Sequence, residues 1–511
     1  MVDIVDGLGG GFEEQRSRLR KSLHRKDVVF FLLCTLVGLD TIGSVAAQGP
    51  QGLTWMVILA VLFFLPYGLL VAELGTAFPV EGGPYIWTKL AFGKTVAGIN
   101  QVLYWLTNPI WMGGSLTIIA VATTEKFFIP LGTAGKYIAG VIFIWFGVLC
   151  VAASLKVGKW VPTAGALARI VLLGFFTVSV VVYAIKNGVQ PLTASSFAPT
   201  YAGFLALVPF VIYNYVGFEL PSTATDEMTD PQRTVPFAIL RSGIGAFLLY
   251  GGPILGILLV VPADRIKSLG GFIDACKSVL TVYGGSIAED GTVTLTGAGT
   301  VFGMICAAGL IVGVLTSGVG WAIGAHRAQA VACADGAGPR FFGEISAKHG
   351  TPIRINVLSG VLATLVMVAA LAITGGDAEK YFSAGLALTI STTFISYVVT
   401  FPSLLVLRRK QPDVARPFRV GGGTWGVAIV TLVPTAFVAF TVATLIWPGI
   451  GVGWFGTSGS PDDSLPSSFA GQRWPYFWSQ LIPLALVIGI GVVFQLIGRR
   501  GRVRDGLPEM V

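Results

Sequence analysis

The sequence predicts an all-α polytopic membrane protein with about 12 transmembrane helices, and three observations carry that expectation. Hydrophobic types make up 54% of the 511 residues and charged types only 12%, well below the roughly 25% charged residues of a soluble domain. The apolar residues gather into runs that reach the ~20 helical residues needed to cross a hydrocarbon core of ~30 Å. The charges sit mostly at the ends of those runs. Together these features exclude disorder, a collagen repeat and an ordinary soluble enzyme. They also turn the net charge of +8 into a topology signal rather than a nucleic-acid footprint.

The runs lie near 28–46, 53–77, 96–123, 135–154, 160–185, 202–226, 235–261, 299–330, 354–374, 381–407, 425–447 and 475–498. Of the 34 Lys and Arg residues, 24 fall at the N-terminus, the even-to-odd loops and the C-terminus, 8 in the opposite loops, and Arg169 and Arg241 within spans. Positive residues favour the cytoplasmic side, so both termini are expected there, in the cell membrane. Residues 1–27 are polar and basic, without the apolar core and small-residue cleavage site of a signal peptide. The five cysteines are scattered with no CxxC pair, so neither a disulfide framework nor a zinc site is expected. The longest external loops, about 262–298 and 448–474, read as connectors.

Two spans are interrupted near their middle. In the first, Gly38-Leu39-Asp40-Thr41-Ile42-Gly43-Ser44 is followed by Gly49-Pro50. In the sixth, Tyr213-Asn214-Tyr215-Val216-Gly217-Phe218-Glu219 lies between Pro209 and Pro221. Irregular backbone at membrane depth is tolerated only inside protein or beside a cavity. Spans 1–5 and 6–10, an odd number each, would have opposite topologies as repeats. Broken helices at corresponding positions of two inverted halves then point to a midplane site. Free N–H groups at Gly43 and Ser44 suit an anion, and freed carbonyls near 40–42 and 214–217 suit an ammonium. Tyr213, Tyr215, Phe218 and Trp321 are positioned to pack a ligand or gate its path.

Several further motifs fall in a fixed order: Glu73-Leu74, then Pro79 through Glu81-Gly82-Gly83-Pro84-Tyr85, Asp230-Pro231-Gln232-Arg233-Thr234-Val235-Pro236, Gly320-Trp321, Ala334-Asp335-Gly336, Thr351-Pro352 and Arg416-Pro417-Phe418-Arg419. From about Lys26 to Val420 the chain thereby resembles the amino acid–polyamine–organocation superfamily of secondary transporters. The resemblance implies a five-plus-five inverted repeat with broken helices 1 and 6, two peripheral helices and alternating access. The expected organisation is a cytoplasmic segment 1–27, repeats 28–186 and 202–407, peripheral spans in 421–498 and a cytoplasmic tail 499–511. By motif position it also implies that Gly43 and Ser44 meet the substrate carboxylate, that Tyr213 is an aromatic gate, that Glu219 serves protons or gating and that Trp321 lies on the substrate side. Together with the residues of the two breaks, the expected substrate contacts are Ile42, Gly43, Ser44, Tyr213, Asn214, Tyr215, Gly217 and Trp321, with coupling or gating at Asp40, Arg169, Phe218 and Glu219.

Two departures from the family pattern stand out. Val45 follows Gly43-Ser44 where relatives often carry a third small residue, which would restrict the approach of a carboxylate. Asp40 stands where relatives usually have a neutral residue. Arg169 lies ~17 Å along span five and Asp40 ~18 Å along span one at 1.5 Å per residue. Three roles for Asp40 follow: pairing with Arg169, binding a substrate amine, or carrying a proton. Arg169 falls where some proton-coupled relatives place a lysine in a former sodium site, and an arginine there is a fixed cation. Glu73, Asp226, Glu227, Asp230, His326 and Arg327 read as interfacial charge at helix ends.

A membrane enzyme would need convergent nucleophiles, bases or metal ligands, and the three histidines lie at or beyond span ends. Gly451-Val452-Gly453-Trp454-Phe455-Gly456 matches a dinucleotide fingerprint without its strand–helix context. The expected activity is therefore sodium-independent amino-acid transport, by exchange or proton symport, with a polyamine or amine carrier and a non-transporting sensor as alternatives. The expected partners are the amino acid or amine, protons and the lipid bilayer, with no nucleic acid, cofactor or metal.

Overall fold

The structure is a computed structural model that describes residues 23–153, 160–262, 266, 271–289 and 291–504, without the side chains of 226, 503 and 504. Most of the 1–27 segment and the last part of the 499–511 tail therefore lie outside the described residues, as does the side chain of Asp226.

Helix dominates because each apolar run must satisfy its own backbone groups once water is excluded. α1 (Arg25–Leu36) and α2 (Ile42–Ala46) are two pieces of one broken run. α3 (Gln51–Ala77) contains a π turn at Ala60–Phe64, and the short α4 (Pro84–Phe92) leads into α5. α5 runs through Lys94–Trp111, a π turn at Met112–Leu116, and Thr117–Phe127. α6 (Thr133–Ala152), α7 (Trp160–Asn187) and α8 (Tyr201–Tyr213) follow, and α8 breaks before a 3-10 segment, Leu220–Glu227. The remainder is α9 (Pro231–Val260), α10 (Gly271–Leu280), α11 (Ala298–Ala334), α12 (Ile353–Ile373), α13 (Ala378–Thr400), α14 (Ser403–Lys410), α15 (Gly423–Ile446) and α16 (Arg473–Arg504). Among the described residues, nine helices are long and apolar enough to cross a membrane: α3, α6, α7, α9, α11, α12, α13 with α14, α15 and α16. One small departure from all-α architecture is an antiparallel hairpin between α10 and α11, β1 (Gly285–Ile287) with β2 (Val293–Leu295).

Packing places the two breaks at the centre. α1 lies against α7, α9 and α11, while α5 packs on α11, α13 and α16. Outer faces carry exposed apolar side chains such as Leu62, Ile142, Val171 and Leu248, as lipid contact requires. The backbones of α5 and α13 meet at glycines, and a Cβ on Gly385 would collide with the Gly114 carbonyl.

Several charges expected at solvated helix ends are buried instead. Glu73 accepts both guanidinium arms of Arg408 at 2.5 and 2.6 Å and the Val420 N–H at 2.7 Å. Arg327 pairs with Glu81 at 2.7 Å and Glu227 at 2.5 Å, all three at most 2% exposed. The physical reason is length: α11 continues to Ala334, beyond the expected end near 330, and the loop after α3 and the 3-10 segment fold over it. His326 is buried on the same helix between Asn108 (3.2 Å) and Asn356 (2.9 Å).

Removing one partner of a buried pair strands the other charge, at a cost of about 3–5 kcal/mol. Glu73→Ala should therefore lower the thermal unfolding midpoint in detergent sharply, whereas Asp462→Ala, which removes a half-exposed carboxylate, should leave it nearly unchanged.

Candidate functional site

A helix end leaves its last four carbonyls without intrahelical partners, and α1 ends inside the protein. Each of these carbonyls receives a side-chain donor, two of the donors standing on α11 and one each on α7 and α9. Ser317 Oγ donates to the Cys34 carbonyl at 3.3 Å and Trp321 Nε1 to the Thr35 carbonyl at 3.1 Å. Tyr250 Oη donates to the Leu36 carbonyl at 2.7 Å, and Arg169 Nε to the Val37 carbonyl at 2.8 Å. Arg169 is fully buried. Its other donors reach the Gly165 carbonyl (2.7 Å), Thr316 Oγ1 (3.1 Å), Cys34 Sγ (3.5 Å), the Gly313 carbonyl and Ser317 Oγ. A cation at the negative end of α1 is favourably placed.

Arg169 is thus committed to α1, α7 and α11 and forms no ion pair with Asp40. The Asp40 carboxylate instead accepts the Trp111 indole N–H at Oδ2, 2.8 Å, and its Oδ1 has no partner among the described residues. Beyond Asp40, α2 begins, and the N–H groups of Ile42, Gly43 and Ser44 face no acceptor among the described residues. Ser44 Oγ is likewise buried and unpartnered there. Val45 turns toward α3, where a Cβ on Gly52 would meet its Cγ1 at 3.2 Å. Gly271 of α10 lies over this break, and a Cβ there would be 3.1 Å from Gly43 Cα.

At the second break, Gly217 has φ +128°, a region that a side chain makes strained, and a Cβ would also meet Trp321 at 3.4 Å. Both amide atoms of Asn214 are buried without a partner among the described residues. Glu219, just past the break, accepts hydroxyls from Tyr67, Tyr104 (2.8 Å) and Tyr397 (2.7 Å). No basic side chain pairs with Asp40 or Glu219 among the described residues. Tyr215 donates to the Met56 carbonyl at 2.8 Å and stacks on Phe64, and Phe218 stacks on Phe64 and Tyr67. Both rings are therefore engaged with α3.

Between the two carboxylates runs a continuous aromatic wall. Trp111 meets Trp321 at 6.1 Å and Tyr213 at 6.2 Å between ring centroids; Trp321 meets Tyr104 at 6.3 Å, and Tyr213 meets Phe394 at 6.3 Å. Aromatic faces attract cations, and buried unpaired carboxylates demand one. Sequence reasoning missed Trp111, Tyr67, Tyr104, Tyr397 and Tyr250, which sit on α3, α5, α9 and α13. A legible signal existed: a Tyr or Trp deep in an apolar run carries a polar atom that must find a partner.

Gly217→Ala forces a residue with a Cβ into a strained backbone region, at a cost on the order of 1–3 kcal/mol. We expect folded protein whose substrate uptake falls at least about tenfold. Uptake and membrane abundance measured side by side check this; unchanged uptake would show that the break does not shape the site.

Residues 23–455 match the family model described as amino acid permease. The chain is 26% identical to a probable agmatine/putrescine antiporter of Lactococcus lactis, over 81% of this chain and 85% of that protein. It is 24% identical to a glutamate/gamma-aminobutyrate antiporter of Lactococcus lactis, over 72% of each. A branched-chain amino acid permease of Bacillus subtilis is 23% identical over 84% of this chain and 89% of its own length. In fold, the chain is similar to a crystal structure of a manganese transporter of Eremococcus coleocola, at a TM-score of 0.56 and 14% identity, covering 93% of this chain and 94% of that one. The chain belongs to the amino acid permease family of the amino acid–polyamine–organocation superfamily, and is a multi-pass secondary transporter for amino acids or amines rather than an enzyme.

Proposed function

We propose that this carrier exchanges small cationic substrates, amines or cationic amino acids, across the cell membrane without sodium. The observation that carries the proposal is the pair of buried carboxylates, Asp40 and Glu219, flanking one aromatic wall with no cation of their own among the described residues. Arg169 supplies a buried positive charge at the breaks, and its donors are committed to α1, α7 and α11. With all three groups ionised the region carries one net negative charge, costly at membrane depth. A cationic substrate offsets that charge, arginine with one excess positive charge and agmatine with two. In this reading Asp40 and the free carbonyl side of Asn214 take ammonium groups, while Trp111, Tyr213 and Trp321 line the apolar part. Two Lactococcus relatives bear the name antiporter, which supports exchange.

A second reading has its own observation. The free N–H groups of Ile42, Gly43 and Ser44, with Ser44 Oγ, suit the carboxylate of an amino acid. A neutral amino acid adds no net charge, so a proton would have to complete the balance, which is proton symport. In both readings the guanidinium of Arg169 fills the place a sodium ion would take. The remaining architecture follows the same proposal. The chain makes twelve spans, with spans 1–5 and 6–10 in repeats 28–186 and 202–407, spans 11–12 peripheral, and both termini cytoplasmic. Trp321 and the Glu219–tyrosine cluster close the path on the cytoplasmic side.

Counterflow in proteoliposomes tests the proposal. Liposomes loaded with agmatine should take up labelled agmatine or arginine, at rates in sodium and in choline buffer within about twofold. Asp40→Asn and Glu219→Gln should each lower that exchange by about 100-fold, as loss of a buried charge partner implies. Preferential uptake of neutral amino acids with acidification of the lumen would replace the first reading by the second. Sodium dependence would overturn the role given to Arg169, and absence of saturable transport of either class would favour a sensor.

A further inference from the structure

α1 and α9 begin at the same end of the bundle. Backbone bonds tie them there, from the Leu23 N–H to the Glu227 carbonyl at 2.9 Å and from the Thr229 N–H to the Leu23 carbonyl at 3.2 Å. Just beyond, two arginines meet on one ring. The guanidinium of Arg241 lies 4.2 Å from the centroid of Phe237, and that of Arg25 lies 5.6 Å from it. Both arginines are exposed and Phe237 is half-buried. Arg241 stands ~15 Å along α9 from Pro231 at 1.5 Å per residue, within the apolar run. Its side chain reaches back one turn toward the helix start to meet Phe237. Long basic side chains behave this way beside a bilayer, with the stem in hydrocarbon and the charge among headgroups.

What the pair lacks is an anion. The other arginines stacked on a ring among the described residues each have a carboxylate as well. Arg354 on Phe341 pairs with Glu344, and Arg473 on Trp447 pairs with Asp462, both at 2.5 Å. Arg25 and Arg241 form no hydrogen bond or ion pair among the described residues. They nevertheless lie within about 10 Å of each other, a distance over which salt screens only partly. A phosphodiester answers both charges, because each of its free oxygens can bond one guanidinium. The surface beside the pair is apolar: Ile244 is 58% and Leu248 65% exposed, three and seven residues beyond Arg241 on one face of α9. We propose that Arg25, Phe237 and Arg241 form a binding site for one anionic phospholipid. Its phosphate lies between the two guanidiniums and its acyl chains follow Ile244 and Leu248. A zwitterionic headgroup would bring a further cation to two that already repel, so a net negative headgroup is preferred. The site faces the bilayer, apart from Asp40, Glu219 and their aromatic wall.

Lipid binding to the purified, delipidated full-length protein in detergent tests this without a known substrate. Native mass spectrometry reads retained lipid, and the thermal unfolding midpoint reads stabilisation. Phosphatidylglycerol should remain bound and raise the midpoint by about 3 °C, as a ligand specific to the folded state does. Phosphatidylcholine and free glycerol phosphate at the same concentration should raise it by less than about 1 °C. Arg25→Gln and Arg241→Gln should each lower phosphatidylglycerol retention about fivefold, the effect of one basic residue at a lipid surface. Arg233→Gln, which removes a charge at the same end with a side chain 79% exposed, should leave retention within about twofold of wild type. Equal retention of the two lipids by the wild-type protein overturns the proposal whether or not the variants accumulate. So does retention that neither Gln variant lowers, and a shift with glycerol phosphate as large as with lipid would replace the lipid by a soluble anion.

Discussion

The rest of the structure depends on how the broken end of α1 is satisfied. Four carbonyls in a row, from Cys34 to Val37, end a helix in the protein interior, and a hydroxyl, an indole, a phenol and a guanidinium each take one. The donors come from α7, α9 and α11, so ending one helix fixes the positions of three others. The same contacts orient Trp321, whose ring then reaches the second break. Break, bundle and aromatic wall are one construction.

Electrostatics follows from that construction. A guanidinium can serve several acceptors at once because its donors are fixed in a planar fork, and Arg169 uses this to bridge α1, α7 and α11. Once it is committed, it cannot also neutralise Asp40, which is left to an indole N–H. Glu219 is treated in a parallel way: three phenol hydroxyls bond to it, and no basic side chain pairs with it among the described residues. Under the proposed function, hydrogen-bonded carboxylates without an ion-pair partner are suited to a cation that arrives and leaves. The salt bridge of Glu73 with Arg408, by contrast, joins two charges that compensate each other within the protein.

Much of the architecture was legible in the sequence because lipid imposes a simple code of run length and charge placement. The two breaks were legible for the same reason, since glycines and polar residues gather in the middle of an apolar run chiefly where the helix opens. What remained hidden were partners contributed by unbroken helices. Tyr67, Tyr104, Trp111 and Tyr397 look like core aromatics when read along the chain, and only tertiary packing shows which polar atom each one serves. Arg169 and Asp40 illustrate the complementary error. Their matching depth suggested a pair, but equal depth does not fix direction, and the open carbonyls at the end of α1 compete for the guanidinium. Arg327 and Glu227 were misplaced at a solvated edge because α11 extends past its apolar run.

The four carbonyls at the end of α1 have one more consequence, for which substitutions the protein tolerates. A carbonyl is the same whatever side chain it belongs to, so Cys34, Thr35, Leu36 and Val37 can vary in identity without losing the acceptors they present. The demand falls on Ser317, Trp321, Tyr250 and Arg169, the first of which lies 283 positions from the carbonyl it serves. A survey of variants that reads tolerance position by position would find these four positions, each at most 3% exposed, limited by size and packing rather than by hydrogen bonding. It would find the hydrogen-bonding demand of the first break in three other helices, at residues that look, one at a time, like ordinary core.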